Sequence, residues 1–208
     1  MKIKICTVVT GSNLKKFLKN LDKIQEVSEM IELRVDKIKN LREKDLQLIR
    51  KNTIKEAIFT SRIKKIILKA FDLEFDFVDI DFSLITNFDL SKSRKTKIIV
   101  SFHDFEKTPS LILLKNIKKK MKQFQPDVMK FATMVNSGAD IVNLFKLLLN
   151  KSNNEEIIVI GMGEKGKITR VLGPLLGSFL MYASTPYGKT ASGQIDIMEL
   201  KKIYQLIN

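Results

Sequence analysis

Eight short β-like runs recur about every 25 residues along this chain, and helix-like stretches fill most of the gaps between them. The runs lie at 2–9, 30–36, 56–62, 75–81, 96–103, 127–133, 155–162 and 178–184. Amphipathic segments such as SLILLKNIKKKMKQF and ADIVNLFKLLLN occupy the gaps, while the connection after the third run is short. Regular alternation of this kind restricts the chain to parallel-sheet architectures. A (β/α)8 TIM barrel and an open doubly wound sheet are the two solutions, and 208 residues is near the lower limit for the barrel. No Gly/Ser- or Pro-rich linker interrupts the series, so residues 1–208 read as a single domain.

The second run separates the two architectures. In MIELRVD, Ile31, Leu33 and Val35 share one face of the strand, and Glu32, Arg34 and Asp36 share the other. An open sheet covered by helices on both sides would bury those charges under apolar side chains. A barrel can point them inward, where strand ends line a polar pocket. Arg62, Asp79, Asp81, His103 and Lys130 also lie in or at the ends of expected strands, and one barrel mouth accounts for all of them. The expectation is a barrel.

Charge narrows the partners. The formal net charge of +14 comes mostly from lysines spread along the chain, with few aromatics interleaved for base stacking. A lysine-rich solvated surface fits this pattern better than a nucleic-acid site. The densest run, NIKKKMK at 116–122, reads as the exposed face of a helix. One cysteine excludes an internal disulfide, and no segment approaches a membrane span or a signal peptide. The expected partner is a small anionic substrate rather than nucleic acid or membrane, and the expected location is the cytoplasm.

Several motifs are weak. GMGEKG at 161–166 matches G-x-G-x-x-G, but no acidic residue lies about 20 positions beyond it to hold a ribose, so a tight strand–helix turn is the better reading. One histidine and one cysteine cannot make a usual zinc site. Asp79 and Asp81 read as a hydrogen-bonded structural pair rather than magnesium ligands, and Cys6 as a packed thiol. Neither a metal nor a cofactor is expected.

Lys130 carries more. An isolated strand-end lysine usually reaches solvent. Here Met129 and Phe131 occupy the opposite face, leaving the ammonium to point inward. Burial and nearby cations, with Arg34, Arg62 and Arg170 as possibilities, would lower its pKa and favour a nucleophilic amine. An imine on Lys130 is an electron sink, and His103, the only histidine, could move a proton α to it. The residues alone lead to a Schiff-base lyase or aldolase acting on a small oxygenated anion.

The stretches ELRVD, SFHDFEKTP, DVMKFATM, GMGEKGKITRVLGPLLGS and ASGQI together resemble type I 3-dehydroquinate dehydratase, in the family's order and over essentially the whole chain. The resemblance implies a (β/α)8 barrel, usually dimeric, that dehydrates 3-dehydroquinate to 3-dehydroshikimate without metal or diffusible cofactor. It implies that Lys130 forms the imine and that His103 takes the C2 proton and assists loss of the C1 hydroxyl. Arg170 is similar to the arginine that clamps the substrate carboxylate. Glu32, Arg34 and Arg62 match residues around the ring hydroxyls, and Thr190 and Gln194 match positions in the eighth βα loop.

The chain departs from the family pattern in two places. Ile66 stands four residues after Arg62, where the family commonly has a carboxylate that orients the histidine. Thr190 replaces a common serine, and Ser192 a proline. With Ile66 there, Asp81 at the end of the fourth run becomes the expected support for His103 on the fifth. The competing functions are a Schiff-base aldolase of the same fold, which would also use Lys130, and a non-catalytic basic barrel binding nucleic acid or a partner protein.

Overall fold

A computed structural model describes residues 3–90, 95–185, 187 and 191–207. The eight runs form strands β1 (Ile5–Val9), β2 (Met30–Arg34), β3 (Glu56–Thr60), β4 (Phe77–Asp81), β5 (Lys97–Asp104), β6 (Val128–Met134), β7 (Ile157–Met162) and β8 (Met181–Ala183). All paired neighbours are parallel, in the order β7-β6-β5-β4-β3-β2-β1-β8. Among the described residues β7 and β8 share no ladder; Phe179 N–H donates to the Ile157 carbonyl at 2.8 Å across that seam. The sheet is a barrel closed along every other strand pair.

Among the described residues seven α-helices pack outside: α1 (Leu14–Val27), α2 (Glu43–Asn52), α3 (Lys64–Asp72), α4 (Leu111–Lys122), α5 (Gly138–Leu149), α6 (Lys167–Leu175) and α7 (Ile197–Ile207). Local chemistry sets their starts. Asn13 accepts from Lys16 N–H at the head of α1, and Ser137 with Asp140 makes a reciprocal capping box on α5. The gap between β4 and β5 differs from the expected alternation: among its described residues it holds only a 3-10 turn, Ile85–Asn87. No helix among the described residues is long and apolar enough to cross a membrane.

Strand alternation sorts the core into layers. Ile31, Leu33, Val78, Ile80, Val100, Met129, Phe131 and Val159 point outward and pack with helix residues such as Phe17, Leu46, Ile67 and Leu147. Cys6, Met30, Ile58, Phe77, Ile99, Val128, Ile158 and Leu180 fill the barrel interior. The lysine run of α4 is largely exposed, as its composition suggests, although Lys118 and Lys122 both pair with Glu155 at 2.6 Å.

Candidate active site

Along several strands the inward positions turn from apolar to polar toward the C-terminal end. Phe77 gives way to Asp79 and Asp81, Ile99 to Ser101 and His103, Met30 to Glu32 and Arg34, and Val128 to Lys130. The first position of each series plugs the barrel floor; the later ones line a cavity at its mouth. The odd charges in the strand pattern therefore share one site, and their outward neighbours supply the core that holds them.

Lys130 sits at the bottom of this cavity, 6% exposed. Its Nζ donates to Asp79 Oδ2 at 2.9 Å, lies 3.7 Å from Glu32 Oε1, and is 3.3 Å from the Tyr182 hydroxyl. Asp79 in turn accepts from Ser101 Oγ at 2.5 Å, and Glu32 from Thr60 Oγ1 at 2.9 Å. These surroundings correct the expected lysine pKa. Burial does pull it down, but the Asp79 and Glu32 carboxylates outweigh burial, and the net shift is upward. Arg34 lends no counterweight, because its guanidinium forks onto Asp36 with two bonds of 2.8 Å. The resting Lys130 is an ammonium ion, not a standing free amine.

His103 lies at the C-terminal end of β5 with 22% of its side chain exposed, stacked on the Phe105 ring at 5.9 Å. Its Nδ1 is 3.2 Å from Asp81 Oδ2, while Asp81 Oδ1 accepts from Ser83 N–H and Oγ at 3.0 and 2.6 Å. Burial opposes ionisation of Asp81, yet the His103 and Ser83 hydrogen bonds prevail and hold the carboxyl well below its usual range. Asp79 and Asp81 are thus not a mutual pair: one serves the lysine, the other the histidine. Ile66 packs into the apolar layer of α3 and does not line the cavity.

Arg170 comes from α6, the helix after the glycine-rich turn. It is 1% exposed yet lines the cavity, and burial pulls its pKa down to about 10. One terminal nitrogen donates to the Tyr182 carbonyl at 3.2 Å and the other to the Ser192 carbonyl at 3.5 Å, while Nε has no hydrogen-bond partner among the described residues. Among the described residues no carboxylate pairs with this guanidinium, so its positive charge remains to attract an anion. The GMGEKG segment is the tight turn its spacing suggests. Gly163 has φ +80°, and a Cβ on Gly193 in the next loop would overlap the Gly163 carbonyl oxygen, so the two loops touch backbone to backbone.

The remaining expected positions range from the floor of the cavity to its rim. Glu32, Arg34, Arg62 and Gln194 line the same cavity; Arg62 is exposed just after β3, and Gln194 is buried with Oε1 accepting from Ala191 N–H at 3.2 Å. Thr190 lies outside the described residues. Asp36, expected on the inward face with Glu32 and Arg34, lines the cavity too, and Thr60, Ser61, Ser101 and Tyr182 are polar lining groups that the sequence did not single out. Ser101 was legible as the residue two before His103 on the same strand face. Tyr182 had no such signal, because its strand reads as uniformly apolar.

The comparisons with known proteins agree with this geometry. The family model for type I 3-dehydroquinase matches residues 5–208. A 3-dehydroquinate dehydratase of Coxiella burnetii is 38% identical over 216 residues, covering 97% of this chain and 92% of that protein. The enzyme of that name from Methanocaldococcus jannaschii is 38% identical over 223 residues, covering 98% and 99%. A crystal structure of 3-dehydroquinate dehydratase from Geobacillus kaustophilus superposes with a TM-score of 0.88 over 100% of this chain and 91% of that one; at 20% identity it supports the fold alone. A match spanning the whole barrel, with lysine, histidine and arginine gathered at one strand mouth, places the chain in a single lineage: it belongs to the type I 3-dehydroquinase family.

Proposed function

We infer that this chain, acting as one catalytic domain, dehydrates 3-dehydroquinate to 3-dehydroshikimate, a shikimate-pathway step toward aromatic amino acids, through an imine on Lys130. The observation that carries the mechanism is a buried lysine sharing one cavity with His103 and an under-satisfied Arg170. Arg170 takes the substrate carboxylate, and Glu32, Arg34, Arg62, Thr190 and Gln194 take the ring hydroxyls. Charge fixes the first act. An anion seated on Arg170 brings its ketone toward Lys130, and the ammonium passes a proton to Asp79, 2.9 Å away. The amine adds to the ketone carbon, the displaced oxygen leaves as water, and the three ammonium hydrogens end as one on the iminium and two in that water.

The iminium then draws electrons from the adjacent carbon. His103 removes the C2 proton, a double bond forms between C1 and C2, and the C1 hydroxyl leaves as water with the proton that His103 returns. Hydrolysis of the imine frees product and lysine. Asp81 supports the imidazole from its far nitrogen, at 3.2 Å. No step in this scheme calls on a metal or a diffusible cofactor. The family resemblance supports a homodimer in the cytoplasm, which sedimentation and fractionation test.

Dehydroquinate mixed with the protein should develop the absorbance of a conjugated enone. Borohydride added during turnover should attach a substrate-derived mass to a peptide containing Lys130, and Lys130→Ala should abolish both signals. Cleavage of a carbon–carbon bond instead would identify an aldolase, and inertness toward dehydroquinate would identify a binding module. His103→Ala should keep the trapped adduct while turnover falls about 100-fold.

A further inference from the structure

Tyr182 stands inward on β8, two residues beyond Leu180 of the barrel floor, and is 4% exposed. It touches both halves of the site. Its carbonyl accepts from Arg170 at 3.2 Å, its hydroxyl lies 3.3 Å from Lys130 Nζ, and that nitrogen sits 4.7 Å from the ring centroid. Asp79 and Glu32, the other polar groups near Nζ, are carboxylates, which accept from an ammonium but have no hydrogen to give. The phenol is the one neutral O–H beside the reacting nitrogen among these contacts.

That difference matters when the amine adds to a ketone. The carbon–nitrogen bond forms, the carbon–oxygen π pair moves onto oxygen, and negative charge develops on that oxygen, two bonds from Nζ. Ionised Glu32 repels it, and Asp79, protonated by then, holds the proton that the departing water needs; the Tyr182 hydroxyl is left to donate to it. We propose that Tyr182 is a catalytic residue whose hydroxyl donates a hydrogen bond to the carbonyl oxygen of the carbon that Lys130 attacks. The inference rests on the imine reading above. The phenol keeps its proton throughout: nitrogen loses one to the oxygen as the carbinolamine forms, and protonated Asp79 supplies the second as water departs. Burial and the surrounding carboxylates push the phenol well above its ordinary pKa, which suits a donor that never ionises. While Lys130 is an ammonium the hydroxyl accepts from it; once the proton has gone to Asp79 the same hydroxyl is free to turn to the ketone oxygen.

The test is Tyr182→Phe, which keeps the ring beneath Lys130. Rapid mixing with saturating dehydroquinate and quenching into borohydride measures how fast the adduct at Lys130 builds up. The variant should trap about 100-fold more slowly than the parent at every pH, with substrate affinity little changed because Arg170 is intact. A hydroxyl that merely holds Lys130 predicts a different result, in which the rate returns to the parent plateau at high pH; that outcome, or equal rates throughout, overturns the proposal. Should the variant fail to fold, 3,5-difluorotyrosine placed at 182 preserves the shape and strengthens the donor. Trapping should then be faster, and an unchanged or slower rate overturns the proposal. If the parent itself forms no adduct at Lys130, the imine reading falls instead.

Discussion

Asp81 Oδ2 lies 3.2 Å from His103 Nδ1, joining the ends of two adjacent strands whose register pairs Asp81 with Ser101. Among the described residues nothing hydrogen-bonds the other ring nitrogen, which is what a proton carrier requires. It also gives a physical answer to Ile66, since support for the imidazole comes from β4 rather than from α3.

Asp81→Asn keeps the size and removes the charge. Turnover should fall about tenfold or more, with an altered pH–rate profile, while borohydride trapping at Lys130 continues. A variant that matches the parent in rate and pH dependence would remove Asp81 from the mechanism.

Asp79→Asn should act on the lysine. Asp79 and Glu32 together hold Lys130 above its ordinary pKa against the pull of burial. With Asp79 neutralised, burial gains the upper hand and the pKa falls, so the pH midpoint of trapping should move down, while the plateau rate drops because asparagine cannot take and return the proton. Folding stability at neutral pH should drop by about 3 kcal/mol, because a buried ammonium loses its nearest partner. Denaturant titration and the pH dependence of trapping read the two effects separately.

Arg170→Ala should raise the apparent KM by about 100-fold, since a desolvated carboxylate loses a charge-assisted partner. In the parent, affinity for anionic substrate should weaken as pH approaches about 10, where burial has brought the guanidinium pKa. An unchanged KM in the variant would contradict the clamp.

Glu155 offers a stability test away from the site. Burial opposes its ionisation, but Lys118 and Lys122, each at 2.6 Å, bring its pKa down to about 2 from 4.5. A carboxylate depressed on folding stabilises above its unfolded pKa, and that contribution disappears as pH falls through the folded value. Glu155→Gln should therefore cost about 1 kcal/mol at neutral pH, and the difference from the parent should vanish between about pH 5 and 2. A gap that persists at pH 2 would assign the effect to packing.

The fold was legible because its signal is local. Ile31, Leu33 and Val35 alternate with Glu32, Arg34 and Asp36 within seven residues, and that pattern alone favours a barrel mouth. Lys130, His103 and Arg170 were legible as ionisable groups at strand ends and after a glycine turn, and all three line the one cavity. What surrounds Lys130 was not. Its partners come from 51 and 52 positions away, and the arginines that sequence offered as neighbours are occupied elsewhere, as with Arg34 on Asp36. Charges on one face of one strand can be counted in a sequence. Which strand faces which across a barrel is set by closure, and no local pattern encodes it. The lack of an α-helix among the described residues between β4 and β5 belongs to the same class, since aromatic residues 82 and 88 cover the core there.

The unladdered seam between β7 and β8 has a consequence for solubility. A barrel abolishes strand edges only where it is laddered, and an unpaired edge is a template on which another chain can add a strand and begin to aggregate. Here one side of the seam, β8, is only three residues long, and Phe179 ties the chain just before it to the β7 side. So short a strand offers an incoming chain too few free amides and carbonyls to hold it. Substitutions that lengthen β8 without restoring a ladder to β7 should therefore lower the concentration at which the protein stays dispersed, even where they leave the folded barrel more stable.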